Sequence, residues 1–331
     1  MSAFVRPRRG FLLGKFMPPH AGHLHLCDFA RAYCDQLTIL VCSLEREPIP
    51  GHLRAAWMRE LYPDCRVVHF AEDVPQEPAD HPDFWDIWRA ISRGAHPEPV
   101  DVVFASEPYG ARLAQELGAR FVPVDPGRET QGVSGTAVRA APFRYWDKLP
   151  APVRAWYVPR VCLFGPESTG KTTLARRLAA HFATVVAPEY GRTYTEAFGV
   201  EVTADDLLHI AAGHQAGVVA AARAANRVLI CDTDPVLTAV WSRMLIDQVL
   251  PALEAFDDLC DLYLLTDVDA PWVDDGTRYF PDEDTRRRFY ELCRAELDRR
   301  GAAYVPLSGA WDQRFDTARA AIHDRWPDLR S

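Results

Sequence analysis

Short apolar runs alternate with amphipathic stretches along almost the whole chain. Continuous apolar runs are typical of buried parallel strands, and the segments between them repeat apolar side chains at helical spacing. In the first half, strands are predicted over 11–16, 37–43, 66–70, 101–105 and 120–124. Helices are predicted between them at about 22–35, 51–62, 84–93, 108–117 and 134–140.

The same alternation resumes in the second half. Strands are predicted over 160–164, 184–187, 227–231, 261–266 and 303–307. Helices are predicted over 170–183, 203–224, 235–247, 283–299 and 312–325. Alternating strands and helices predict an α/β protein with two doubly wound, parallel-sheet domains. Residues 149–160 contain three prolines that interrupt regular structure, so we place the domains at 1–150 and 158–331.

Composition and charge exclude several classes of protein. Eight cysteines are scattered singly without a Cys-x-x-Cys pair, a pattern typical of reduced, buried thiols in a cytoplasmic protein. The sequence shows no signal peptide and no apolar run near the roughly 20 residues of a membrane span, so membrane insertion is not expected. The net charge of −9 argues against a nucleic acid as partner.

Lysine usage points to two phosphate-binding positions. Only three of the 37 lysine and arginine side chains are lysines, at positions 15, 148 and 171. Lys15 and Lys171 both lie in glycine-containing segments at the end of a predicted strand. A slim ammonium group reaches a phosphate in a tight loop where a planar guanidinium does not substitute for it. We therefore interpret both as phosphate ligands and attach no role to Lys148.

The second half opens with a complete P-loop, which follows a buried strand and precedes an amphipathic helix. In such a loop the backbone N–H groups surround a polyphosphate, the lysine reaches the β- and γ-phosphates, and the last hydroxyl binds Mg²⁺. We predict ATP and Mg²⁺ as ligands, with Lys171 catalytic and Thr172 at the metal. The ATP-binding positions are Gly165, Glu167, Ser168, Thr169, Gly170, Thr172 and Thr173.

Charged side chains follow the next strands of this half. Asp232 ends an apolar strand and is the candidate carboxylate for the metal. Glu189 ends another strand and is a candidate to accept the proton of an acceptor hydroxyl, with a surface turn as the alternative. Asp234 and Arg192 lie in the same two segments and are assigned to the substrate.

A polar segment further along is predicted to form a mobile lid. It begins at 274–278 and ends in three consecutive arginines, 286–288. Lid arginines can neutralise a transferring phosphoryl group. Arg278 is the catalytic candidate, and the last two of the three arginines fit a solvated helix face. His209 and His214, on an alanine-rich helix, are interpreted as packing or surface residues.

The first half carries a different phosphate-binding pattern, with two histidines at a helix start directly after the first strand. Two imidazoles and a helix N-terminus can hold the α-phosphate of one ATP in line with an incoming phosphate and stabilise the pyrophosphate that leaves. A second helix, predicted to be capped by Ser134, adds donors on one face. The catalytic candidates are Lys15, His20, His23 and Arg139, and the ATP-binding candidates are Gly14, Phe16, Gly22, Ser134 and Thr136.

Taken in order, these motifs resemble one enzyme family. The order is Gly-Lys-Phe with His-x-Gly-His, then residues 104–110 (Phe-Ala-Ser-Glu-Pro-Tyr-Gly), then Ser-Gly-Thr-x-Val-Arg, the P-loop and Asp-Thr-Asp. Over residues 11–325 the chain is similar to the bifunctional NadR-type nicotinamide-nucleotide adenylyltransferase/ribosylnicotinamide kinases. The combination is far more specific than any single motif.

The resemblance implies a Rossmann-like nucleotidyltransferase domain followed by a P-loop kinase domain. The kinase would phosphorylate nicotinamide riboside with ATP to nicotinamide mononucleotide (NMN). The first domain would join NMN to AMP from a second ATP, giving NAD and pyrophosphate. Trp85 and Trp88 are candidates to stack on the cationic nicotinamide ring, although aromatic residues at this spacing are also typical of a core.

Some family members carry an N-terminal helix-turn-helix that represses transcription. Because the first strand is predicted to begin by residue 11, we expect no such domain and no nucleic-acid binding. Two other interpretations stay open. The first domain could serve another phosphate, such as phosphopantetheine, with an adenylyl or cytidylyl group, or one site could be a sensor that regulates a vitamin transporter. The preference for NMN or nicotinic acid mononucleotide and the oligomeric state, a homo-oligomer included, also stay open.

Overall fold

Each half of the chain folds around a five-stranded, all-parallel sheet. The computed structural model describes residues 7–274, 276 and 278–330, and the boundary between the two halves falls between Val153 and Arg154. This boundary lies inside the proline-containing segment. The prediction of an α/β protein with two doubly wound parallel sheets is confirmed.

In the first unit all neighbouring strands are parallel. The strands are β1 (Arg9–Gly14), β2 (Gln36–Cys42), β3 (Arg66–Phe70), β4 (Val102–Ala105) and β5 (Arg120–Pro123). The helices are α1 (Ala21–Tyr33), α2 (Gly51–Leu61), α3 (Phe84–Ala95), α4 (Tyr109–Leu117) and α5 (Gly135–Ala140). The strand order is β3-β2-β1-β4-β5, so the chain turns back at β1 and the strand ends there form a crevice.

The second unit repeats this plan. A short helix at the boundary, α6 (Ala151–Tyr157), precedes it. The strands are β6 (Arg160–Phe164), β7 (Val186–Ala187), β8 (Leu229–Asp232), β9 (Leu262–Thr266) and β10 (Tyr304–Leu307), in the order β10-β9-β6-β8-β7. The helices are α7 (Lys171–His181), α8 (Tyr190–Phe198), α9 (Ala204–Ala222), α10 (Pro235–Leu245), α11 (Pro251–Glu254), α12 (Glu283–Arg299) and α13 (Trp311–Arg325).

Helices cover both faces of each sheet because successive side chains of a strand point to opposite faces. In β1, Leu12 packs with residues of α1 and α2, whereas Phe11 packs with α3 and α4. In β6, Val161 and Leu163 pack with α7 and α13. With both faces of each sheet buried, the carboxyl ends of the strands are the edge available for ligands.

The structure differs from the predicted elements at several places, and the short helix α11 is one that was not predicted. The first strand ends at Gly14, because Phe16 has a φ of +46° that an extended strand does not adopt. Residues 190–198 form α8, where no helix was predicted. Helix α6 lies inside the segment expected to lack regular structure, and its early Pro152 is tolerated in a first helical turn.

Two predictions from composition can be compared with the structure. Seven of the eight cysteines are buried, as their scattered positions in apolar runs predict. No helix in the described part of the chain combines the length and apolarity needed to cross a bilayer.

Candidate active sites

A cavity of about 820 Å³ opens at the carboxyl ends of β1, β4 and β5 in the first unit. Its volume lies in the range of small-molecule sites. Every candidate residue that the sequence suggested in this half lines it. These residues are Gly14, Lys15, Phe16, His20, Gly22, His23, Trp85, Trp88, Ser134, Thr136 and Arg139.

The two histidines lie side by side at the start of α1. Their ring centroids are 3.9 Å apart, and Phe16, which is buried, supports the His23 ring at 5.0 Å. His20 caps the helix, since its Nδ1 accepts the Gly22 N–H at 3.1 Å. Burial and then the charge of Arg128 lower the pKa of His20 to about 4, so the ring is neutral at pH 7. Its Nε2 therefore carries the hydrogen and can donate to a phosphate oxygen.

Lys15 is held by a buried carboxylate. Its Nζ lies 2.8 Å from Glu47 Oε1, while Glu47 Oε2 lies 2.6 Å from the guanidinium of Arg54. Arg54 is fully buried and also donates to the Lys15 carbonyl at 2.8 Å. Burial alone would raise the Glu47 pKa, but the hydrogen bonds from Lys15 and Arg54 lower it. The lysine thus enters the cavity from a prearranged position.

The start of α5 closes the cavity on the other side. Ser134 caps it by accepting the Ala137 N–H at 3.2 Å, which confirms the predicted cap. Arg139 donates to Thr136 Oγ1 and to the Met17 carbonyl, so α5 and the turn after β1 are joined. Gly135 permits this approach, because a Cβ there would lie 2.6 Å from the Met17 carbonyl oxygen.

The aromatic candidates of this cavity differ in their surroundings. Trp88 is 8% exposed and its Nε1 donates to the Pro75 carbonyl at 2.9 Å, so it supports the wall from within the core. Trp85 is more exposed and has the Arg112 guanidinium 5.8 Å from its ring centroid. Sequence reasoning missed Arg128, a cavity residue in the loop after β5, because no motif marks it.

A cavity of about 350 Å³ in the second unit surrounds the P-loop. Most candidates from the sequence line it: Glu167, Ser168, Thr169, Gly170, Lys171, Thr172, Thr173, Glu189, Arg192 and Arg278. Gly165, Asp232 and Asp234 do not line it. Gly165 lies behind the loop, where a Cβ would come within 2.7 Å of Thr266 on β9.

The P-loop is held by its own side chains. Lys171 is 7% exposed and its Nζ donates to the Pro166 carbonyl at 2.7 Å. Thr169 Oγ1 lies 2.8 Å from the same carbonyl and 2.7 Å from Thr266 Oγ1. Gly170 has a φ of +83°, and a Cβ there would lie 2.3 Å from the Trp311 ring. Backbone conformation and packing therefore both require glycine at position 170.

Glu167 and Ser168 were predicted to bind ATP, but their side chains bond to the protein instead. The Glu167 carboxylate accepts the backbone N–H groups of Tyr279 and Phe280, and Ser168 Oγ accepts that of Val273 at 2.9 Å. The backbone groups of both residues and the hydroxyl hydrogen of Ser168 remain available to a phosphate. Both side chains attach the segment after β9 to the loop.

Thr172 and Asp232, the pair expected to hold Mg²⁺, lie within hydrogen-bond distance of each other. Asp232 is 2% exposed, and its Oδ1 has no hydrogen-bond partner among the described residues. Burial raises the Asp232 pKa, while a hydrogen bond from Thr172 and the charge of Lys171 oppose this rise. A buried carboxylate oxygen beside the P-loop hydroxyl fits the oxygen ligands that Mg²⁺ requires.

The remaining charged candidates line the cavity near the loop. Arg192 Nε lies 3.9 Å from Glu189 Oε2. Arg278 donates to the Val273 carbonyl, while Asp275 and Thr277 of the predicted lid lie outside the described residues. The three consecutive arginines lie in α12 rather than in a lid, and Arg286 among them is buried. Arg176 on α7 is a further cationic lining residue that no motif marked.

Asp234 was assigned to the substrate, and the structure gives it another place. It is fully enclosed and caps α10, since its Oδ1 accepts the Val236 and Leu237 N–H groups at 3.0 and 3.2 Å. Its Oδ2 accepts the Tyr263 hydroxyl at 2.6 Å. Burial raises its pKa to about 8. Asp234 therefore organises the helix behind the cavity instead of lining it.

Three lining residues had no sequence motif to reveal them. Trp241 on α10 and Tyr279 form an aromatic wall, with ring centroids 5.7 Å apart. His214 on α9 is buried, with Nε2 3.4 Å from Thr233 Oγ1 and Nδ1 3.4 Å from the Tyr190 nitrogen. The interpretation of His214 as a packing residue agrees with its burial, but it also lines the cavity.

His214 should make the stability of the protein depend on pH. Burial lowers its pKa to about 4, so between pH 6.5 and 4 the unfolded chain binds a proton that the folded chain does not. Stability therefore falls as the pH falls, by about 2 kcal/mol between pH 6.5 and 5 for this one group. Urea unfolding of His214→Gln should show a shallower pH slope than the wild type. His209→Gln, at an exposed position on the same helix, should keep the wild-type slope, and equal slopes for all three proteins would contradict this assignment.

Two parallel sheets, each with a phosphate-binding loop after its first strand, define a two-domain nucleotide-binding α/β protein. Residues 11–141 match the family model described as cytidylyltransferase-like, and residues 160–314 match the AAA domain model. The chain is 31% identical over 334 residues to the trifunctional NAD biosynthesis/regulator protein NadR of Escherichia coli (strain K12), covering 92% of this chain and 80% of that protein. The chain belongs to the NadR family, which confirms the resemblance.

Other relatives agree with this assignment. The chain is also similar to a nicotinamide-nucleotide adenylyltransferase of Methanolobus tindarius, at 28% identity over 145 residues, which cover 42% of this chain and 80% of that protein. Two solved structures share the fold at 23% identity. One is a NadR protein in complex with NAD and AMP-PNP (TM-score 0.77, 96% of each chain), and the other a NadR protein in complex with NR (TM-score 0.79, 98% of this chain and 97% of that one).

Proposed function

We propose that this protein makes NAD in two steps, one in each unit. The second unit phosphorylates nicotinamide riboside with ATP to give NMN, and the first unit adenylylates NMN with a second ATP to give NAD and pyrophosphate. The observation that carries the proposal is the presence of one cavity per unit, each lined by its own lysine and by the N-terminus of a helix. Membership of the NadR family supports nicotinamide riboside and NMN as the substrates.

In the kinase step, Glu189 accepts the proton of the riboside hydroxyl as the oxygen bonds to the γ-phosphorus and the bond to ADP breaks. Lys171 exchanges its bond to the Pro166 carbonyl for phosphate oxygens, and Arg192 and Arg278 stabilise the charge of the transferring group. Mg²⁺, when bound, supplies positive charge to the phosphates, and Thr172 and Asp232 would hold it.

The aromatic wall of this cavity suits the nicotinamide end of the nucleoside. The nicotinamide ring carries a positive charge in the riboside, and such a cation is attracted to the face of a tryptophan or tyrosine. Trp241 and Tyr279 supply two such faces within the same cavity as the P-loop. In the first unit, Trp85 is the corresponding candidate, with Trp88 behind it.

The adenylyl transfer needs no protein nucleophile. A phosphate oxygen of NMN bonds to the α-phosphorus of ATP, and the bond to pyrophosphate breaks. His20 and His23 at the start of α1 donate hydrogen bonds to the phosphates, and Lys15 and Arg139 in the same cavity supply positive charge. We extend the proposal to a cytoplasmic location, which the pattern of buried thiols favours.

The proposed function is tested by supplying purified protein with nicotinamide riboside, ATP and Mg²⁺ and following the products by chromatography. NMN should appear first and NAD second. NMN supplied directly should give NAD and pyrophosphate, whereas phosphopantetheine in its place should give no adenylylated product. Failure to form NMN from the riboside, or NAD from NMN, would remove the corresponding half of the proposal.

A further inference from the structure

A carboxylate in a phosphate-binding loop is unusual in electrostatic terms, because its negative charge repels a polyphosphate. Glu167 occupies the third position of the P-loop and is 8% exposed. Its Oε1 accepts the N–H of Tyr279 at 2.9 Å and that of Phe280 at 2.6 Å, and its Oε2 lies 3.1 Å from the Tyr279 nitrogen. The charge is therefore engaged by two backbone donors from a different part of the unit.

A buried cation lies close to the same carboxylate. Arg286 of α12 is 5% exposed and donates to the Ala270 carbonyl at 3.0 Å. Burial lowers the Arg286 pKa, and the charge of Glu167 counteracts this effect. Protein groups alone therefore balance the negative charge of Glu167. Its role accordingly lies in the segment that it binds, which contains Tyr279 and Phe280.

Glu167 binds Tyr279, which forms the aromatic wall together with Trp241. The backbone of Tyr279 is bound to the P-loop through Glu167, and its hydroxyl donates to the Val200 carbonyl at 2.6 Å in the segment between α8 and α9. Its ring lies 5.7 Å from that of Trp241, and Phe280 stacks on the same tryptophan at 6.0 Å. Tyr279 is therefore fixed at both ends and forms a strap across the cavity.

We infer that Glu167 is a positioning residue that fixes the Tyr279 strap, and with it the nucleoside site, at a set distance from the phosphate-binding loop. The inference rests on the proposed kinase function and adds a residue to it. Both carboxylate oxygens of Glu167 are engaged by the backbone of Tyr279 and Phe280. It acts through Tyr279, which forms the aromatic wall with Trp241, and through Phe280, which stacks on that tryptophan.

The expected signature is a change in nucleoside binding that exceeds the change in ATP binding. Glu167→Gln removes the charge and replaces one acceptor oxygen by a donor, which opposes the N–H groups it faces. The KM for nicotinamide riboside should rise about tenfold (about 1.4 kcal/mol), with a much smaller rise in the KM for ATP. Because the wall binds ground state and transition state alike, kcat should change less than KM.

The controls separate this role from general damage. Glu291→Gln, an exposed carboxylate on α12, should leave both KM values unchanged. Glu167→Asp keeps the charge and should restore part of the nucleoside affinity, and it provides the test if the glutamine variant does not fold. Formation of NAD from NMN in the same variants reports on the first unit and should be unaffected.

The result that overturns the inference is a nucleoside KM that is unchanged in both Glu167 variants, or that rises no more than the KM for ATP. If the wild-type protein itself failed to phosphorylate nicotinamide riboside, the proposed function would fail instead. The two failures are therefore distinguished by the same set of measurements.

Discussion

Lys171→Ala should abolish the formation of NMN from nicotinamide riboside, with kcat reduced by about a thousandfold or more. Lys171 is the lysine of the P-loop, and its amine lies at the base of the loop, 2.7 Å from the Pro166 carbonyl. The arginines that line the cavity are wide, planar groups that do not take the place of a slim amine inside the loop. A steady-state kinase assay with purified variant measures the loss.

The same variant should still convert NMN to NAD, because the residues proposed for that step lie in the other unit. Lys148→Ala is the matched control, since it removes the same type of side chain at an exposed position outside the P-loop. It should keep the kinase activity. Loss of both reactions in a folded Lys171→Ala protein would refute the assignment of one reaction to each cavity.

His23→Ala should stop the sequence of reactions at NMN. The His23 ring is tilted against those of His20 and Phe16, with centroids 3.9 and 5.0 Å away, so alanine removes a proposed phosphate donor and also a contact of the His20 ring. Loss of one preorganised donor to a transition-state charge lowers kcat by about a hundredfold to a thousandfold. Chromatography should therefore show NMN accumulating, with NAD nearly absent.

Two further variants sharpen this result. His25→Ala removes a histidine from the same helix that does not line the cavity, and should leave NAD formation intact. His23→Asn keeps an N–H donor of similar reach and should retain more activity than alanine. Equal loss in the asparagine and alanine variants would argue that the ring supports the fold of the site rather than donating to a phosphate.

Most of the fold could be predicted because strands buried on both faces read as plain apolar runs. Helices α8 and α6 were not predicted, for different reasons. Helix α8 (Tyr190–Phe198) is short and has no buried residue, and its large apolar side chains are three isolated aromatic residues, so no apolar run marks it. Helix α6 was hidden by its prolines, which mark a boundary in sequence but are compatible with a first turn in structure.

The phosphate-binding parts of both candidate sites could be predicted because they are local. A loop, a helix start and a lysine are contiguous in sequence, and the chemistry follows from their spacing. The nucleoside wall is not local. Trp241 and Tyr279 come together only because α10 packs against the segment after β9. The spacing of the two residues in the sequence does not predict this contact. Arg128 likewise lines the first cavity through the fold of the chain, and no motif in its own segment marks it.

The sequence position of some residues fits two roles, and only the three-dimensional structure distinguishes between them. Asp234 follows a strand and precedes a helix, where an aspartate serves equally well as a ligand or as a cap. Its bonds to Val236, Leu237 and the Tyr263 hydroxyl decide for the cap. Glu167 shows the reverse case, since its place in a nucleotide motif concealed a bond to a distant segment.

The close contact between Gly170 and the Trp311 indole has an evolutionary consequence. The tryptophan fills the volume that a side chain at position 170 would need, and the positive φ would strain any residue but glycine even after the tryptophan had changed. The constraint between these two positions, 141 residues apart in the printed sequence, therefore runs in one direction. Among homologues, glycine should be retained at position 170 even where another residue replaces the tryptophan.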